Sequence, residues 1–170
     1  MVAAGCRIAD AERDMGYDLS ILEASGVPDA KARYRLTTRA MREIVEVLMS
    51  HGVAHDEPPP SWPTGEADRE ALRAADTLAG ATIAAYKLMS NDGWRMSPGE
   101  CRAVAEGLRG ALAGVRVPAA AVPLIDEDGL EIEPEEPGEP EPIPERLRPV
   151  VQGFIAFNER SALHGGYRVR

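Results

Sequence analysis

Five residues carry the chemistry that this chain offers most plainly: Asn91, Asp92 and Trp94 in "SNDGW", and His164 and Tyr167 around "HGGY". An indole face, a carboxylate and an amide within four positions suit a small binding pocket, with Trp94 as platform and Asp92 as acceptor. The same residues suit a capped turn in which Trp94 seals the core, because Asn and Gly tolerate positive φ and Asp bonds its own backbone. His164 before two glycines reads either as a helix C-cap, where the imidazole meets the negative end of the helix dipole, or as a proton-transfer group on a turn. Both readings stay open at both places, and no catalytic residue is assigned.

Other candidates are weaker. Cys101 lies in helical register with Val104, Ala105 and Leu108, which makes it a small buried hydrophobe; it also falls in the first turn of a helix, which favours a thiolate, but no base lies near it in sequence. His51 and His55, with Asp56 adjacent, have the i, i+4 spacing of a metal pair, but Gly52 ends the helix between them. No metal site or cofactor is expected. The chain lacks a phosphate loop, a dinucleotide fingerprint and a nucleophile elbow.

Composition narrows the partners. The 170 residues carry a net charge of -9, and 126–145 alone holds ten acids, five prolines and no base. Without that stretch, 19 bases face 18 acids. Nucleic-acid binding through a basic surface is therefore not expected, and the acidic run reads as a solvated spacer, a lure for a basic partner, or a mimic of nucleic-acid charge. Cys6 and Cys101 make no disulfide framework, which fits a reducing cytoplasm. No apolar run approaches membrane-spanning length. "VAAGC" lacks the start a lipoprotein signal needs, and "MGYDLS" is a chance myristoylation match. Basic residues are nearly all Arg, with Lys only at 31 and 87, as in GC-rich bacterial genomes.

The elements that must position these residues can be read from periodicity. "YDLSIL" (17–22) and "ARYRLT" (32–37) alternate as strands across the turn "SGVPD". Thr37 or Thr38 caps a helix whose face is Met41, Ile44, Val45 and Leu48. "HDEPPPSWP" (55–63) is an extended connection. A helix is expected from Thr64 to about Met89, with Leu72, Ala75, Ala79, Ile83 and Tyr86 inward. Ser97-Pro98-Gly99-Glu100 is a capping box that opens the next helix. Asp128-Gly129 marks a short hairpin. Leu147, Val150, Val151, Phe154 and Phe157 form the face of a last helix, and "YRVR" (167–170) reads as a strand able to pair with the first two.

The expected fold is α+β, with about four helices packed on a small two- or three-stranded antiparallel sheet. Residues 15–125 and 144–170 form one domain; 1–14 is a flexible extension, with Met1 or Met15 as the native start, and 126–143 is a mobile acidic segment.

"YKLMSNDGW", "SPGEC" and "FIAFNERSALHGGYRVR" resemble a group of small proteins of actinobacteria and their phages, in which a "MGYD" opening, a "YRL" strand, "SNDGW" and an "HGG" ending recur in that order. The resemblance covers most of 15–170 and implies one compact domain of phage or mobile-element association, without a reaction. The expected function is a cytoplasmic interaction or regulatory module whose partner is a protein, a second copy of the chain, or a small molecule. The alternative is a small-molecule site or enzyme centre formed where Asp92 and Trp94 meet His164 and Tyr167. There Tyr167 would lie near Trp94, and Asp92 would accept a hydrogen bond from His164.

Overall fold

The computed structural model describes residues 16–76, 82–115 and 142–170, with the backbone of 124–125 and 131–132. Cys6, the extension 1–14 and most of the acidic segment lie outside the described residues.

Alternation sets the sheet. In β1 (Gly16–Ile21), Tyr17, Leu19 and Ile21 are buried and Asp18 is exposed, as a one-sided strand requires. β1 pairs antiparallel with β2 (Arg33–Thr37), Leu19 opposite Tyr34. Gly26, at φ +81°, turns the chain between them, and a four-residue helix, α1 (Asp29–Ala32), completes a connection expected to be turn alone. Thr37 caps α2 (Thr38–Ser50), its hydroxyl accepting from the Ala40 N–H at 3.2 Å. Met41, Ile44, Val45 and Leu48 are fully buried beneath it.

The long helix expected from Thr64 to Met89 is not formed. α3 (Glu66–Ala74) ends when Ala75 turns to ψ 132°. The chain re-enters the core as β4 (Ile83–Ala84), which pairs in parallel with β3 (Ala54–His55), and then forms the single-turn α4 (Tyr86–Met89). The apolar residues 83–85 are buried on every side, the pattern of a covered parallel strand rather than of one helical stripe. Leu72 is only half-buried and Ala75 is exposed. α3 contains no buried residue at all.

Ser97 opens α5 (Pro98–Leu112) with both halves of the capping box in place. β6 (Leu124–Ile125) and β7 (Glu131–Ile132) pair as the expected hairpin. Ile143, at the end of the acidic segment, is 3% exposed and belongs to the core. A 3₁₀ turn (Glu145–Leu147) leads into α6 (Arg148–Leu163), which buries Val151, Phe154 and Phe157. Then β8 (Tyr167–Val169) enters the sheet between β1 and β5 (Arg95–Met96). The protein is thus α+β, with six α-helices among the described residues and a four-stranded antiparallel sheet in the order β2-β1-β8-β5. The fourth strand, β5, is the one that alternation over two residues could not reveal. Gly166, at φ +92°, lets β8 pass under β5: a Cβ there would sit 1.9 Å from the Met96 carbonyl oxygen.

Candidate functional site

The pairing of β5 with β8 lays the SNDGW corner beside the HGGY ending. The Val169 N–H donates to the Trp94 carbonyl at 2.9 Å, and Met96 lies opposite Tyr167. The start of α5 therefore lies beside the end of α6. The side chains then part. Tyr167 is wholly buried and its ring leans on Phe157 at 5.1 Å. Burial, then the nearby Cys101 and Glu100, push its phenol well above the usual range. Trp94 is 1% exposed and packs on Trp62 (5.1 Å, stacked) and Tyr86 (4.7 Å, edge-on), not on Tyr167. Asn91 and Asp92 are exposed, and the Asp92 carboxylate accepts from the Ser90 hydroxyl rather than from His164. His164 closes α6 through its backbone: its N–H donates to the Ser161 carbonyl and its own carbonyl accepts from Glu23. Its imidazole is half-buried.

One position along each strand the chemistry changes. Arg95 and Arg168 are direct partners across β5 and β8. Because strand side chains alternate, both leave by the face opposite Met96 and Tyr167. There α3 lies across them. One oxygen of Glu70, Oε1, accepts from both guanidiniums, from Arg168 Nη2 at 2.7 Å and from Arg95 Nη2. Arg73 approaches the other oxygen at 3.4 Å, bonds Glu66 at 3.0 Å, and donates through Nε to the Asp92 carbonyl at 3.0 Å. Its guanidinium also stands 5.2 Å over the Trp62 ring. Trp62 remains 40% exposed on the extended proline-rich arm. Among the described residues, three buried donors here lack an acceptor: Trp94 Nε1, Arg95 Nε and Arg168 Nε. The sequence reading missed Trp62, Glu70, Arg73, Arg95 and Arg168. The signals for them were Glu66, Glu70 and Arg73 on one helical face, and the arginines alternating with Met96 and Val169.

Underneath lies an ion pair with both members 0% exposed. Lys87 Nζ donates to Glu100 Oε1 at 2.7 Å, to Oε2 at 2.8 Å and to the Ala75 carbonyl at 2.8 Å. Glu100 Oε2 also accepts from the Ser97 N–H at 2.7 Å. Every Nζ proton thus has an acceptor, and the pair ties the exit of α3 and α4 to the start of α5. Burial, and then the charge of Glu100, push the neighbouring Cys101 thiol up to about 12, so it is un-ionised and a poor nucleophile at neutral pH.

His51 turns inward, its Nδ1 against the Val47 carbonyl at 2.9 Å, while His55 pairs with Glu57 at 3.1 Å. Among the described residues no three His, Cys, Asp or Glu side chains converge as a metal site, and no helix is long and apolar enough to cross a membrane. The arrangement at α3, β5 and β8 is suited to holding an anion and a flat or apolar group side by side.

Comparison with protein-family models, with curated proteins and with solved structures gave no match.

Proposed function

We propose that this chain is a small cytoplasmic interaction or regulatory module without catalytic activity, and that it binds its partner through the face made by Trp62 and Arg73, with the buried Trp94 behind Trp62. One observation carries this reading: Trp62, a large aromatic on an extended arm, is left 40% exposed while stacked against Trp94 and roofed by a guanidinium. Trp and Arg together are the residue types that dominate binding energy at protein interfaces. The partner is a protein, a second copy of this chain included, or a small molecule, and no cofactor is invoked. The cytoplasmic assignment rests on the free Cys101 thiol. The phage or mobile-element association rests on the sequence resemblance alone.

The test is affinity capture from extracts of the encoding cells, with wild-type and Trp62→Ala proteins as bait and mass spectrometry for proteins and small molecules. Trp62→Ala should stay folded by circular dichroism and lose the retained species. Retention unchanged by Trp62→Ala rules out this face.

A second reading, a small-molecule or enzyme site at Asp92, Trp94, His164 and Tyr167, is favoured by the β5–β8 pairing that sets the two segments together. It expects His164→Ala to abolish ligand binding or turnover while Trp62→Ala spares them. The complete burial of Tyr167 weighs against it.

A further inference from the structure

Arg95 and Arg168 stand opposite each other on adjacent antiparallel strands, where like charges repel. Something anionic must lie between them, and in the folded chain it is Glu70 of α3. The neutralisation is incomplete. Arg73, Arg95 and Arg168 converge on this one carboxylate, and Arg73 shares Glu66 with Arg69. Three guanidiniums thus share one carboxylate.

The geometry is also under-used. Arg95 and Arg168 both spend Nη2 on the same oxygen, Oε1, whereas guanidinium forks bind carboxylate or phosphate best through two parallel bonds. Their Nε atoms are buried without an acceptor, as is Trp94 Nε1. A buried donor without a partner costs free energy that an incoming oxyanion would recover. The helix that supplies Glu70 has no buried residue to hold it down.

We propose that Arg73, Arg95 and Arg168 form an oxyanion-binding site, and that Glu70 is a resident carboxylate displaced by a phosphate or carboxylate group of the partner. This rests on the reading of the Trp62 face as the binding surface, and it names the chemistry that surface selects. Glu70 acts as an intramolecular competitor, so its removal should strengthen anion binding by its effective concentration.

The chain has two tryptophans; Trp62 lies under Arg73 and stacks on Trp94, so tryptophan fluorescence excited selectively at the indoles reports on this corner. Inorganic phosphate and glutarate are titrated separately into wild type, Glu70→Ala, and Glu70→Ala carrying Arg95→Ala and Arg168→Ala. The expected result is a saturable change with an apparent affinity at least about tenfold tighter in Glu70→Ala than in wild type. The response should vanish in the triple variant. Response to phosphate alone identifies a phosphorylated group, to glutarate alone an acidic side chain or terminus, and either supports the site. If Glu70→Ala does not fold by circular dichroism, Glu70→Gln takes its place. Folded Glu70 variants that show no saturable response to either anion overturn the proposal, as does a response that survives loss of both arginines. Should Trp62→Ala lose the captured partner while the Glu70 variants ignore both anions, the face stands and the anion site falls.

Discussion

Cys101 shows how completely an environment sets a side chain's chemistry. It stands in the first turn of α5, where a helix dipole favours a thiolate, yet burial and the Glu100 carboxylate beside it win and push the thiol up to about 12 from its ordinary value of 9.0. A thiol held protonated in the fold stabilises it below the unfolded value, and this contribution is lost as pH rises from about 9 towards about 12. Tyr167, raised by burial in the same core, acts in the same direction at still higher pH. The urea midpoint should therefore fall as pH rises above about 9, and Cys101→Ala should flatten the first part of that fall. At neutral pH, Ellman's reagent should modify Cys101 only at the rate of unfolding. Fast labelling of the native protein would contradict the burial.

Among the elements, the joint between α4 and α5 depends on one buried bond. Lys87 and Glu100 are both fully enclosed, so removing one member strands the other charge in the core. Lys87→Met alone should cost about 3–5 kcal/mol in urea unfolding, while the double change Lys87→Met, Glu100→Gln should recover a substantial part, as a buried pair replaced whole often does. A double variant no better than the single one would mean that Glu100 acts chiefly as the reciprocal half of the capping box with Ser97. This joint also marks where the sequence was legible and where it was not. The capping box, the cap at Thr37 and the alternation of β1 are local signals, decided within a few residues, and they stand in the fold as read. The span from Thr64 to Met89 was misread because Leu72, Ala75, Ile83 and Tyr86 suit a helical stripe on paper. Which of them reaches the core is decided by β3, a partner far upstream that pairs Ala54 with Ile83, and no local pattern records a parallel bridge of two residues. The surroundings of the candidate residues were hidden for a similar reason. SNDGW and HGGY meet in the backbone, but strand alternation sends Arg95 and Arg168 to the face opposite Met96 and Tyr167, a placement that depends on pairing between segments far apart in sequence.

At the scale of the molecule, the acidic stretch is rich in proline and like charge, a composition that favours solvation over packing, whereas Ile143 at its end is a core residue. Deleting 133–141 and closing the gap with a short Gly-Ser linker should leave the melting temperature within about 3 °C of the parent. Ile143→Ala should cost about 2–4 kcal/mol. Loss of the cooperative transition in the deletion would show that the acidic residues pack.

The place of β8 has a consequence for how the protein is made. Leu19 pairs with Val169 and Arg95 with Arg168, so one late strand is the bridge between two parts of the sheet formed much earlier. Until residues 167–169 leave the ribosome, the β1–β2 hairpin offers an open strand edge, and the arginine of β5 has no partner strand. Closing so long a loop is slow, and an open edge in the meantime invites pairing with other chains. Assembly of this sheet therefore waits for β8, and a chain in which β8 has not yet docked is the form most exposed to aggregation.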